Sequence, residues 1–360
     1  MPSTVDWLES LSPWPRDGFG LERMQALLAQ LGDPQLAFPS VHVVGTNGKS
    51  TTTRTIEETL LREGMSAGAY TSPPVSGGAE RIRVGGEEVD VERSLARVRA
   101  AAVALGATQF EVLTAAALAE FAEAGVGAAA IEAGLGGRHD ATNVLRSPVQ
   151  VLTNVALEHT EVLGSTREAI AGEKLAVVQP GATVVLGEPE WEALARRNGA
   201  ARVVVETGGN RSLGGAAASA FLGRPVEAAE VRLHGRLDVR GDEIWDGAHT
   251  PEAVRHIAPS LPRLGSVVAS ILADKDVDAV LAELARLAPA LVATGSTNER
   301  ALPAAELANR AASHFDVVEA VDDPLGAIRR AHELGEPVLV TGSLYLLADL
   351  AKHQPTGSRR

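Results

Sequence analysis

The heptapeptide Gly45-Thr46-Asn47-Gly48-Lys49-Ser50-Thr51 lies between a short apolar run, Val41–Val44, and a helix-like stretch, Thr52–Gly64. Strand, glycine loop and helix in that order form the context of a phosphate-binding loop. Backbone N–H groups of such a turn point inward as a nest for anions, and the following helix adds the positive end of its dipole. Gly45 and Gly48 permit the turn. Lys49 is placed to reach the β- and γ-phosphates of ATP, and Ser50 or Thr51 can offer a hydroxyl to Mg²⁺. Thr46 and Asn47 complete the ATP-binding set. The common loop reads G-x-x-x-x-G-K-[ST], and here Val43 occupies the place of its first glycine. The shortened spacing turns the reading away from switch GTPases and motor ATPases.

Around the loop, strand-like runs at Ala67–Tyr70, Ala128–Glu132, Val149–Thr153 and Ala182–Leu186 alternate with helical stretches at Val91–Leu105 and Phe110–Ala124. Residues 1–38 read as polar helix. This alternation predicts an α/β, P-loop ATPase-type domain with a mostly parallel sheet. It restarts further on with Val267–Leu272, Ala290–Thr294, Phe315–Glu319 and Val338–Thr341, which predicts a smaller Rossmann-like α/β C-terminal domain. The expected division is an ATP-binding domain over 1–235, a linker over 236–242, a second domain over 243–353 and a disordered tail at 354–360. A length of 360 residues agrees with two domains of roughly 150 residues or more.

Aromatic residues make up only 3% of the chain, so the core must be built mainly from Ala, Val and Leu. The net charge of −13 leaves no basic stripe for a nucleic acid. With no cysteine, disulfides, thiolate catalysis and Cys-ligated zinc are excluded. The N-terminus lacks the pattern of a signal peptide, and no apolar stretch reaches the roughly 18 residues needed to span a bilayer. A cytoplasmic protein without membrane partners is expected.

Several other stretches carry chemistry. Thr71-Ser72-Pro73 follows one strand-like run. Glu132-Ala133-Gly134-Leu135-Gly136-Gly137-Arg138-His139-Asp140-Ala141-Thr142-Asn143 starts at the end of another. Glu158-His159-Thr160, Glu173-Lys174 and Asp246-Gly247-Ala248-His249-Thr250-Pro251 follow. Together they resemble the Mur ligase superfamily, and most closely its folylpolyglutamate synthase/dihydrofolate synthase family, from about residue 30 to residue 350. EAGLGGRHDATNV is the most specific stretch and DGAHTPEA the next. Supporting matches are TSP…ERIRVGG over Thr71–Gly86, DKD at Asp274–Asp276 and TGSLYL at Thr341–Leu346.

The resemblance implies an ATP- and Mg²⁺-dependent ligase. A folate or pteroate carboxylate is phosphorylated by ATP, and the amine of L-glutamate attacks the acyl phosphate. It further implies that Ser72, Glu132 and His159 hold Mg²⁺, and that Lys174 is the lysine that relatives often carry as a carbamate, able to ligate a second ion. Asn210 matches an adenine-contacting asparagine. Arg236 matches an arginine that reaches the phosphates, and Asp246 and His249 match the pair at the ATP and acyl-phosphate site. Lys49, Lys174 and His249 are thus the candidate catalytic residues, and the protein is expected to work as a monomer. His42, His234, His256 and His332 read as structural.

The chain departs from the family pattern at several places. Ser50 stands where the family has glycine, a form closer to the amino-acid-adding murein ligases. Pro74–Ala79 intervenes where a histidine and an aromatic are usual. Glu158 replaces an aspartate, and Thr250 replaces an asparagine. The stretch from Trp191 to Asn210 is shorter than in relatives, as if edge strands were missing. Two alternatives stay open: a Mur-type ligase for another acid, and a nucleotide-binding protein without ligase activity. Against the first stands the start of the ATP loop only about 40 residues in, which leaves no N-terminal domain for a nucleotide sugar. Against the second stands the joint presence of Lys49, Glu132, His159, Asp246 and His249.

Overall fold

The computed structural model describes residues 3–13, 15, 18, 20–72 and 81–352. The Pro74–Ala79 segment and the 354–360 tail lie outside the described residues. The chain divides after Val231 into two compact units. The first runs α1 (Thr4–Glu9), α2 (Glu22–Gln30), β1 (Ser40–Val44), α3 (Lys49–Arg62), β2 (Ala67–Tyr70), β3 (Ile82–Val84), β4 (Glu87–Glu88), α4 (Val91–Leu105), α5 (Gln109–Ala124) and β5 (Ala128–Glu132). It continues with β6 (Val149–Leu152), α6 (Thr160–Leu163), α7 (Arg167–Lys174), β7 (Thr183–Leu186), α8 (Glu192–Arg197), β8 (Arg202–Val205) and α9 (Asn210–Leu222). Its eight strands lie in the order β4-β3-β2-β5-β1-β6-β7-β8, parallel except for the β2-β3-β4 meander.

β1 sits in the middle of this sheet, between β5 and β6. It is buried along its whole length, as a central parallel strand should be, with His42 the one large polar side chain in it. The loop after β1 and the ends of β2, β5 and β6 therefore meet at the carboxyl edge, where open α/β sheets place their ligands. Helix packing here depends on small residues. A Cβ at Gly214 of α9 would lie 2.7 Å from Thr55 Cβ of α3, and one at Gly68 of β2 would lie 2.6 Å from the Phe121 ring of α5. Alanines do the same in α5, where Ala115, Ala116 and Ala117 are fully buried beside Phe121.

The second unit runs β9 (Asp238–Arg240), β10 (Glu243–Trp245), α10 (Pro251–Ile257), β11 (Ser266–Ala269), α11 (Val277–Leu284), β12 (Ala290–Ala293), α12 (Ala304–Ala311), β13 (Val317–Ala320), α13 (Pro324–Leu334), β14 (Val338–Thr341) and α14 (Leu344–Lys352). Its sheet has the order β13-β12-β11-β14-β10-β9 and is parallel except for β9. The stretch 236–242 that reads as a linker contributes β9, which pairs antiparallel with β10. Among the described residues no helix is long and apolar enough to cross a membrane.

Candidate active site

The glycine loop is pinned from behind by the end of β6. Thr46 N donates to the Asn154 carbonyl at 3.0 Å, and Asn47 N donates to Asn154 Oδ1 at 2.9 Å. Thr153 Oγ1 donates to the Asn47 carbonyl at 2.7 Å. Gly45 and Gly48 have φ of +147° and +78°, backbone that disfavours any side chain. A Cβ at Gly45 would run into Thr153, and one at Gly48 into the side-chain amide of Asn210. Asn210, the first residue of α9, thus lies against the phosphate loop. Thr51 follows in the first turn of α3 and is half-buried.

Glu132 ends β5, is 1% exposed, and organises the residues around it. Its Oε1 accepts from Ser50 Oγ at 3.1 Å, and its Oε2 accepts from Ser72 N at 3.0 Å. The Ser72 hydroxyl accepts from Arg81 at 2.8 Å. Ser50, Ser72 and Glu132 form an oxygen cluster beside the phosphate loop, a donor set that suits a hard divalent cation. His159 comes from the loop after β6. It caps α6 with φ of +45°, is substantially exposed, and stands 3.7 Å from Glu161. Among the described residues no group of three His, Cys, Asp or Glu converges as a metal site. The oxygen set therefore fits Mg²⁺ with hydroxyls and one carboxylate.

Two ammonium groups converge on one carbonyl. Lys49 Nζ donates to the carbonyls of Gly45 and Thr46 at 3.0 and 3.1 Å. Lys174 Nζ donates to the same Gly45 carbonyl at 2.8 Å and to Glu158 Oε1 at 2.7 Å. Lys174 is 1% exposed. Burial lowers its pKa to about 8, the Lys49 charge works in the same direction, and Glu158 opposes both. Burial would push the Glu158 carboxyl up, but the Lys174 and Lys49 ammoniums outweigh it and hold the group below its ordinary range. As an ammonium Lys174 has no lone pair for a metal, so ligation would require loss of its proton, as the free amine or as a carbamate.

The EAGLGGRHDATN stretch sets this lysine in place. Arg138 N donates to the Glu173 carbonyl at 3.0 Å, and a Cβ at Gly137 would lie 2.5 Å from the Lys174 carbonyl oxygen. Gly137 thus lets the loop press against the last turn of α7. Asp140 folds the loop by accepting from Leu135 N, Thr142 N and Thr142 Oγ1. His42 Nε2 meets Thr142 Oγ1 at 2.7 Å, and burial lowers the His42 pKa to about 4.

In the second unit the DGAH turn follows β10. Asp246 is 4% exposed and accepts from Leu237 N and Ala248 N, each at 2.8 Å. Burial raises its pKa, against the pull of the Arg236 charge and these two N–H groups. His249 Nδ1 lies 2.8 Å from the Gly247 carbonyl. The Ala248 carbonyl accepts from Thr341 Oγ1 and Gly342 N, which fastens the turn to the end of β14. Arg236, Asp246 and His249 are therefore gathered at one place in this unit.

Two family models match the chain. The Mur ligase middle domain covers residues 43–210, and the Mur ligase glutamate ligase domain covers residues 235–344. The dihydrofolate synthase/folylpolyglutamate synthase of Escherichia coli K12 is 32% identical over 404 residues, taking in 97% of this chain and 94% of that protein. Its counterpart from Mycobacterium tuberculosis is 29% identical over 388 residues, 84% of this chain and 80% of that protein. The E. coli FolC structure in complex with DHPP and ADP superposes with a TM-score of 0.85 at 28% identity, covering 98% of this chain and 97% of that one. The Yersinia pestis bifunctional folylpolyglutamate synthase/dihydrofolate synthase with Mn, AMPPNP and L-glutamate bound gives a TM-score of 0.83 at 27% identity and 98% coverage of both.

The chain belongs to the dihydrofolate synthase/folylpolyglutamate synthase family of Mur ligases. In this family member three residues with a structural claim on the site were not singled out as site residues by sequence. Asn154 carries the phosphate loop, Arg81 holds the Ser72 hydroxyl, and Glu158 neutralises Lys174. The Thr153-Asn154 pair directly after a strand was the available signal for the first. Arg81 and Glu158 depend on contacts 9 and 16 residues away along the chain, which no local pattern announces.

Proposed function

We propose that this chain is an ATP- and Mg²⁺-dependent ligase that joins L-glutamate to the carboxylate of a folate or dihydropteroate through an acyl phosphate. The observation that carries the reading is the convergence of the phosphate loop, the Ser50–Ser72–Glu132 oxygen cluster and two ammoniums on the carboxyl edge of one sheet. Two anionic reactants must meet, so charge neutralisation is the main demand on the protein. In this reading Gly45–Thr51 cradles the phosphates, and Lys49 leaves the loop carbonyls for the transferred phosphoryl oxygens. Mg²⁺, held by Glu132 with Ser72 and a loop hydroxyl, supplies positive charge to the phosphates. Lys174 adds a second positive charge under the loop, or as a carbamate a further anionic ligand. By family resemblance Asn210, which lies against the loop at Gly48, would contact the nucleotide, and His159 would be a further metal ligand. By family resemblance Arg236, Asp246 and His249, gathered within the second unit, are the residues assigned to phosphate and acyl-phosphate chemistry. The supporting facts are the family and the ligands named for its solved members.

The test is ADP release from ATP with Mg²⁺ and glutamate, in the presence of dihydropteroate, tetrahydrofolate or neither. Release that requires one of the pterins is expected. Release indifferent to both would move the activity to another acid, and no release under any condition would remove the ligase reading.

A further inference from the structure

Glu57 is a fully buried carboxyl that the chemistry above does not use. It lies on α3 at 0% exposure, while Glu58 beside it pairs with Arg62 at the surface. Its Oε2 stands 2.6 Å from Arg54 Nη1, one turn back on the same helix. Its Oε1 stands 3.6 Å from Arg83 Nε on β3. Burial pushes the Glu57 pKa up to about 7, opposed by the Arg54 charge and the Gly86 backbone and assisted by Glu58. The other elements against α3 bring no charge to this place. β1, β2, β5 and α9 meet it with Val, Ala and Leu side chains.

The arrangement has a direction. Ser50, Arg54 and Glu57 recur at helical spacing and line one face of α3 over about two turns. That face looks onto the β2-β3 hairpin, where Ala69 and Arg83 are partners in register. Arg81 stands two residues before Arg83, on the same face of the chain by strand alternation, and donates to the Ser72 hydroxyl at 2.8 Å. Glu132 in turn accepts from both Ser72 N and Ser50 Oγ. The helix row and the hairpin row are therefore joined twice, by Glu132 at the phosphate loop and by Glu57 with Arg83 about two turns away.

The second joint has work to do because the ladder beside it is short. β3 has three residues and β4 two. Arg83 Nε is buried without a hydrogen bond, and Glu57 is the ion-pair partner of Arg83 among the described residues. The turn after β3 also comes close to α3, since a Cβ at Gly86 would lie 3.3 Å from Leu61.

We propose that Glu57 is a positioning residue for the metal-facing end of the site, its carboxylate pinning Arg83 so that β3 holds Arg81 and the Ser72 hydroxyl beside Glu132. This rests on the reading of Ser72 as a metal-facing hydroxyl. Protonation leaves Arg83 without its counter-charge, so the pinning is present above about pH 7 and lost below it.

Calorimetric binding of the ATP analogue AMPPNP over a series of Mg²⁺ concentrations tests this without turnover. At about pH 8.5, Glu57→Gln should raise the Mg²⁺ concentration for half-maximal effect by about fivefold, with AMPPNP binding in EDTA unchanged. At about pH 6 the wild-type carboxyl is protonated, so the difference between the two proteins should nearly vanish. Taking the ratio of variant to wild type at each pH removes the titration of the nucleotide itself. Arg83→Met should reproduce the shift at about pH 8.5, and the double variant should not exceed either single one. An unchanged Mg²⁺ requirement in Glu57→Gln overturns the proposal, as does a shift of equal size at both pH values. Equal weakening with and without Mg²⁺ overturns it too, because that marks a pair that only stabilises the fold. Should Glu57→Gln fail to fold, Arg83→Met decides. Wild-type binding that ignores Mg²⁺ removes the metal reading of Ser72 and this proposal with it, whereas an Mg²⁺-dependent wild type with unaffected variants removes this proposal alone.

Discussion

Glu158→Gln removes the counter-charge of a buried ammonium, and it should destabilise the protein by an amount that fades as pH rises. Lys174 has a folded pKa of about 8, below the 10.5 of an unperturbed lysine. Below pH 8 both folded and unfolded chains hold this proton, and the fold bears the full cost of burying the charge, about 3 kcal/mol. Between the two values the unfolded chain binds more protons, so stability rises with pH, and above 10.5 the cost is gone. Losing one partner of a buried pair costs about 3–5 kcal/mol. The Glu158 side chain is 23% exposed and an amide still accepts a hydrogen bond, so about 2 kcal/mol is expected. At about 2–4 °C per kcal/mol this lowers Tm by about 4–8 °C at about pH 6 and by less at pH 7, since without Glu158 the lysine sheds its proton at lower pH. Thermal melts of wild type and variant from about pH 6 to 10 should show the gap closing as Lys174 loses its proton. A gap below about 1 °C at about pH 6, or one that stays constant to pH 10, would refute the pairing. A carbamate at Lys174 reverses the sign, because Glu158 would then face an anion and its removal would stabilise the protein.

Lys49→Ala should abolish ADP release while leaving the far-ultraviolet circular dichroism unchanged, and retained turnover would remove Lys49 from the phosphate site. His42 has a folded pKa of about 4 against 6.5, so the fold loses stability as pH falls between those values, by about 3 kcal/mol in all. Urea titrations of His42→Asn should be flatter than wild type over that window, and parallel curves would contradict the buried neutral ring. Gly214→Ala forces a methyl to 2.7 Å from Thr55 Cβ and should cost about 1–3 kcal/mol. Because α9 begins at Asn210, against the loop, the same variant should raise the KM for ATP, and an unchanged KM would separate helix packing from nucleotide binding.

Long apolar runs were legible in the sequence because burial on both faces of a parallel strand writes a continuous signal. Ala67–Tyr70 and Ala128–Glu132 match β2 and β5 residue for residue, and Val91–Leu105 matches α4. What escaped was short or open on one side. β4 has two residues, β9 and β10 have three each, and β8 lies on the edge with its ends exposed. Two or three residues are too few for a period to show, and β8, though as long as β2, is not buried along its length. Around the site, the phosphate loop and the glutamate at the end of β5 were readable as types in context. Their supports were not. Asn154 reaches Asn47 across 107 positions, and the Thr153-Asn154 pair after a strand signals a polar strand end without showing which loop it holds.

The charge arrangement explains how an acidic protein can hold a polyanion. Lys49 spends its donors on two loop carbonyls, and among the described residues it has no carboxylate partner. Carbonyls are exchangeable for phosphate oxygens, which bind an ammonium more strongly because both partners are charged. A carboxylate at that place would have to be displaced at greater cost. Glu158 instead sits on Lys174, beneath the same carbonyl. It compensates one of two like charges that would otherwise repel at close range, and so keeps Lys174 mostly protonated at neutral pH. One cation is left free to meet the ligand while its neighbour is neutralised. The start of α3 adds its dipole to the free one. The distribution of a few partners, more than the net charge of the chain, sets the charge that a phosphate would meet at this loop.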